Sequence, residues 1–154
     1  MCTRSQLFAV NVRQALGRRG AAAVELAVTL PLFVLIILGI IEFGRAMMVS
    51  ETLTTAARNG ARRAIVDGST NADVEESVKA FCSLVLHTAP ESVTVTITVE
   101  TASGNDPANN QIEFAQMGDL CTVAVSVPFG QVALFTPKYL ASQNLAASCA
   151  MEHE

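Results

Sequence analysis

Residues able to do chemistry are few in this chain of 154 residues, and they are scattered. The two histidines, His87 and His153, stand far apart, and no Cys/His spacing fits a metal site. No P-loop, dinucleotide fingerprint or G-x-S-x-G elbow occurs. Asp106 and Asp119 fall near turn signals, where acids are common. We therefore expect no catalytic residue, no cofactor and no metal, and hence no enzyme. The acid in an unusual place is Glu25, within RRGAAAVELAVTLPLFVLIILGIIEFGR, residues 18–45. It sits at the mouth of a long apolar run. A charged side chain at the centre of a lipid-embedded helix costs about 3 kcal/mol on insertion scales, and less towards the interface. In a helix that starts at Ala21, Glu25 would lie one turn in, near the headgroups, and gain from the helix dipole.

Cysteine chemistry is the second candidate. Cys82, Cys121 and Cys149 all fall on the expected inward faces of their elements, so a disulfide between any two is conceivable. The candidate pairs are Cys121–Cys149, across two strands, and Cys82 to either strand. Three buried thiols acting as small hydrophobes fit the sequence equally.

The elements that must position these residues begin with the apolar run. Residues 26–41, LAVTLPLFVLIILGII, carry no charge, and Glu25 is the sole charge between Ala21 and Ile41. A membrane span needs about 20 predominantly apolar residues, so residues 24–44 make a credible single transmembrane helix. Pro31 interrupts its hydrogen bonding and frees the carbonyl of Ala27, which predicts a local kink that neighbouring helices can satisfy. Arg4, Arg13, Arg18 and Arg19 precede the run without any acid. By the positive-inside rule the N-terminus stays in the cytoplasm and the remainder lies outside. All eight arginines precede residue 64, leaving Lys79 and Lys138 against eleven acids. Such an acidic remainder, without a basic patch bearing aromatics, argues against a nucleic-acid partner. A cleaved secretory signal fits less well, because the run is long and no A-x-A site follows it.

Helical character continues beyond the span. Val49, Leu53, Ala56 or Ala57, Gly60 and Ala64 recur at helical spacing as a stripe of mostly small side chains suited to close packing. A helix over 21–66 would be roughly 70 Å long at 1.5 Å per residue. A span followed by a separate short helix is the alternative. Residues 67–70, DGST, supply a turn and an N-cap. Residues 72–87 then read as an amphipathic helix with Val74, Val78, Phe81, Cys82 and Val85 on one face, stopped by Pro90. Period-2 alternation predicts strands at 93–100 (Val93, Val95, Ile97 and Val99 inward), 121–127 and 144–154 (Leu145, Ala147, Cys149 and Met151 inward). Residues 101–111 read as a polar excursion, with room for a short strand near 111–116, and 129–142 as an irregular connection. The chain divides into a basic leader, 1–20, a long N-terminal helix, 21–66, and an α+β domain, 67–154, in which a second helix packs on a small antiparallel sheet.

Taken together, the leader ending in Gly20, the small residues after it, Glu25, and the apolar helix resemble the start of type IV pilin-like precursors. The longer string RRGAAAVELAVTLPLFVLIILGIIEFGRAMMV, followed by AARNGARRAIVDG, is similar to the TadE/TadG-like pseudopilins of the Tad (Flp) pilus systems. The resemblance implies a pilin-like fold and cleavage of the Gly20–Ala21 bond by a prepilin peptidase. It also implies pairing of Glu25 with the N-terminal amine of a neighbouring subunit. Leu26 stands where the family's processing motif usually has an aromatic. The implied partners are inner-membrane lipid, the prepilin peptidase, other pilins and pseudopilins, and the Tad secretion machinery. The short C-terminal domain favours a TadE-type role. Processing would remove four arginines and leave six basic against fourteen acidic residues, a formal charge of −8. The expected function is that of a TadE-like minor pseudopilin in pilus assembly and adherence, held in the bacterial inner membrane. The alternative is a single-pass anchored binding or adhesion module that is neither processed nor assembled.

Overall fold

The computed structural model describes residues 4–135 and 137–153. Residues 1–3 of the leader, residue 136, and Glu154 at the end of the third expected strand lie outside the described residues. Six main elements follow one another: helix α1 (Arg4–Ala64), helix α2 (Asn71–Leu86), strand β1 (Thr94–Glu100), strand β2 (Leu120–Pro128), the single-turn helix α3 (Phe129–Val132) and strand β3 (Asn144–Glu152). The architecture is α+β, with a long apolar N-terminal helix, a second helix and an antiparallel sheet.

α1 is a single element of 61 residues that runs uninterrupted past Pro31. Its residues divide between two compact units, one ending at Ile41 and the other running from Glu42 to the C-terminus. In the second unit α1 buries Ala46, Val49, Leu53, Ala56, Ala57, Ala61 and Ala64, while Arg58 and Arg62 face solvent. Gly60 lies in the same stripe and shows why its residues are small. A Cβ there would come within 2.8 Å of Val78 Cγ2 on α2 and 3.0 Å of Val123 Cγ1 on β2. The helix backbone thus approaches both neighbours more closely than an alanine allows.

The turn after α1 uses Gly68 at φ +82°, a conformation glycine adopts without steric cost. α2 then opens on a capping box. The Thr70 hydroxyl accepts from the Asp73 N–H at 3.2 Å, and the Thr70 N–H donates to Asp73 Oδ2 at 3.3 Å. Its buried face is Val74, Val78, Cys82 and Leu86. Val85, expected inward, is exposed instead. The stripe advances by four residues throughout, so Leu86 takes the inward position after Cys82.

The sheet is an antiparallel meander in the order β1–β2–β3, with Ile97 opposite Val123 and Val123 opposite Cys149. The inward positions Cys121, Val123, Val125 and Val127 of the central strand are all buried. Inward residues of the outer strands, among them Val95, Ile97, Leu145 and Ala147, are half-buried because each has only one strand beside it. Threonine, serine and alanine dominate the opposite face, as expected for a sheet wetted on one side. No strand forms at residues 111–116. Ile112–Phe114 make a 3-10 turn whose Ile112 plugs the core.

Candidate functional site

The first unit presents the chemistry anticipated for a membrane. Twelve large apolar side chains between Leu26 and Ile41 are exposed, on every side of the helix. Full burial of such a side chain is worth about 1.5–3 kcal/mol, so leaving this many partly wet amounts to on the order of 10 kcal/mol. That rivals the entire net stability of an ordinary domain. A helix that is hydrophobic all round is found in a protein core or in a bilayer, and the described residues of this chain do not cover it. α1 is long and apolar enough to cross a membrane.

Gly20 and Ala21 lie in exposed helical backbone at the N-terminal edge of this run. Glu25 is exposed, and its side chain has no hydrogen-bond or ionic partner among the described residues. Its backbone carbonyl accepts from the Thr29 hydroxyl at 2.8 Å. Pro31 falls six residues later, within the apolar run. These four residues therefore share one stretch of helix, and Glu25 is the charge it offers between Gly20 and Ile41.

The three thiols are distributed over the second unit. Cys82 is buried on α2, Cys121 is buried on β2, and Cys149 is half-buried on β3; all three are free. Cys121 faces Met151 in the register while Cys149 faces Val123, so the two strand cysteines are diagonal rather than opposite. Diagonal neighbours lie about 7–8 Å apart, beyond the usual Cα separation of a disulfide. Burial pushes the Cys82 thiol up to about 11. Burial, and then the charge of Asp119, push the Cys121 thiol up as well. Both are thus kept protonated and poorly nucleophilic.

Two polar nodes that residue patterns alone did not reveal hold the domain's ends. At one end Glu42 accepts three backbone N–H groups, from Lys138 at 3.2 Å, Tyr139 at 2.9 Å and Leu140 at 2.6 Å. One turn along α1, Arg45 donates through Nε to the Val132 carbonyl at 2.9 Å and through Nη2 to the Leu86 carbonyl at 3.4 Å. Leu86 closes α2, whose last turn has no basic residue of its own. Arg45 supplies that charge from a neighbouring element, where the helix dipole favours it. In sequence both residues read only as flanking charges.

At the other end Asp119 is fully buried. Its Oδ1 accepts from Ala102 N at 2.9 Å and Asn105 Nδ2 at 2.7 Å, and its Oδ2 accepts from Gln116 N at 2.9 Å. The N–H groups of Gln116 and Ala102, then the Asn105 amide, hold its carboxyl below the ordinary range, against an opposing effect of burial. Asn71 ties the same excursion to α2, donating to the Asn110 carbonyl at 2.8 Å and accepting from Ile112 N at 2.9 Å. These bonds organise a loop and present no open, reactive carboxylate. The detectable signal was the turn-forming Gly118–Asp119 pair, whose burial depends on long-range folding.

An exposed all-apolar helix leading into a small α+β domain defines a class: proteins with one candidate membrane-spanning helix and a compact C-terminal domain. Within that class, residues 20–62 of this chain match the family model for TadE-like protein. The match opens at Gly20 and takes in both the apolar run and most of the small-residue stripe of α1. Searches of curated proteins and of solved structures gave no match.

Proposed function

We propose that this protein is a TadE-like minor pseudopilin, a non-catalytic component of a Tad/Flp pilus system that takes part in assembly and adherence. The observation that carries this reading is the coincidence of the TadE-like match with an exposed apolar stretch of α1, residues 21–41, whose one charge is Glu25. The helix sits in the inner membrane, with the arginine-rich leader in the cytoplasm and the domain outside. A prepilin peptidase cuts between Gly20 and Ala21, which removes the leader and creates a free amine one turn before Glu25. The Glu25 carboxylate then pairs with the corresponding amine of a neighbouring pilin or pseudopilin. That pairing offsets the cost of placing a carboxylate at the membrane edge. Pro31 lets the helix bend or loosen locally as it leaves the bilayer for the assembly.

The mature N-terminus tests this reading. Protein recovered from membranes of a strain with an intact Tad system is expected to begin at Ala21. A chain that keeps the leader would instead favour an anchored binding module that never enters an assembly.

A further inference from the structure

The connection between β2 and β3 carries several exposed apolar side chains on a firmly held segment. Its first turn, α3, buries Phe129 and Val132 and so seats the segment on the core. The residues that follow turn their apolar groups outward: Leu134 and Phe135 are each 65 % exposed, and Tyr139 is 46 % exposed, with Lys138 exposed beside it. This loop is not loosely attached. Three of its N–H groups end on the Glu42 carboxylate, and Arg45 holds the Val132 carbonyl just before it. Arg45 also brings the last turn of α2 to the same end of the domain, where Leu84 and Val85 are exposed.

Glu42 follows Ile41 directly, and Ile41 ends the uncharged run. A bilayer that holds the expected span, residues 24–44, therefore reaches its boundary within a turn of the residue to which this loop is bonded. Leucine and phenylalanine beside tyrosine and lysine make the composition that settles at a membrane interface, with rings at headgroup level and a basic tip reaching water. We propose that residues 133–135 and 137–140 belong to a membrane-interface loop: Leu134, Phe135 and Tyr139 enter the boundary between headgroups and acyl chains of the phospholipid bilayer that α1 crosses. The loop thereby docks the α+β domain on the lipid surface, and Glu42 is the positioning residue that holds it there. This inference rests on the reading of the apolar run as a membrane span.

The chain contains no tryptophan, so single-tryptophan variants report one place at a time. The full chain is reconstituted in phosphatidylcholine–phosphatidylglycerol vesicles that carry lipids brominated either high or low on the acyl chain. Phe135→Trp reports the loop and Ile37→Trp the span. Phe114→Trp reports the excursion before β2, at the opposite end of the sheet. Quenching of Phe135→Trp by high-brominated lipid is expected to exceed that of Phe114→Trp by at least about two-fold, as insertion at interfacial depth requires. Ile37→Trp should be quenched best by low-brominated lipid. Adding Glu42→Ala should reduce quenching at Phe135→Trp and leave that at Ile37→Trp unchanged. Equal quenching at Phe135→Trp and Phe114→Trp, with Ile37→Trp quenched deeply, would overturn the loop while leaving the span standing. A blue-shifted but unquenched Phe135→Trp would also overturn it, since a second copy of the chain would then cover the patch. An unquenched Ile37→Trp would overturn the span and the loop together.

Discussion

Gly60 and Asp119 show how single positions carry this fold. A methyl group at Gly60 would meet Val78 and Val123, whose β-branched side chains have few alternative rotamers. Alanine would gain about 1 kcal/mol of helix propensity but lose about 1–3 kcal/mol to overpacking. Gly60→Ala should therefore destabilise the domain by about 1 kcal/mol, measurable as a lower denaturation midpoint of the full chain in detergent. Asp119 sets an acid limit instead. Its folded-state carboxyl titrates below the ordinary value because three donors hold the charged form. The stability it adds is fully present above the unfolded value of about 4 and is lost as pH falls through the lower, folded value. Denaturation midpoints followed downward from pH 7 should fall in that acid window. The gap between wild type and Asp119→Asn should narrow there.

At the level of elements, α2 is held at both ends by groups of different origin. Its start is local, the Thr70–Asp73 box, and its finish is tertiary, the Arg45 guanidinium on the Leu86 carbonyl. Thr70→Ala removes an N-cap acceptor and is expected to cost about 1 kcal/mol in the denaturation midpoint. Thr70→Ser should keep most of that stability, because the hydroxyl that accepts from Asp73 N remains. The sheet behaves differently. Its central strand is buried along its whole inward face while the outer strands are half-covered, so stability should concentrate on β2. The excursion and connection that flank β2 are held by side-chain carboxylates, Asp119 and Glu42, rather than by further strands.

For the whole molecule, the proposed assembly role depends on one carboxylate in an otherwise apolar stretch. Glu25→Ala removes a charge that is costly in lipid, so membrane insertion should be unchanged or improved. Pilus formation should fall, since the partner amine of the neighbouring subunit loses its counter-charge. Pilus counts by electron microscopy, with membrane fractionation of the same cells, separate the two effects. Normal piliation in the variant would show that Glu25 has no part in assembly.

Much of this protein was determined locally and could be read without coordinates. The absence of charge over 26–41 fixes the apolar helix, because an apolar run shielded from water can satisfy its backbone N–H and C=O groups only within itself. Strict alternation fixes the strands, since a period of two leaves one apolar face to bury. Gly20, Ala21 and Glu25 are placed by order along the chain alone, and the processing and pairing given to them are proposals. Tertiary structure decided what depends on distant partners. It chose Leu86 over Val85 for the core, turned 112–114 into a 3-10 plug, and set Cys121 and Cys149 on a diagonal. It also converted Glu42, Arg45 and Asp119 from unremarkable charges into the fastenings of loops and helix ends. Those roles rest on backbone N–H and C=O groups far away in sequence. Every residue carries such groups, so no residue type or spacing marks them before the chain folds.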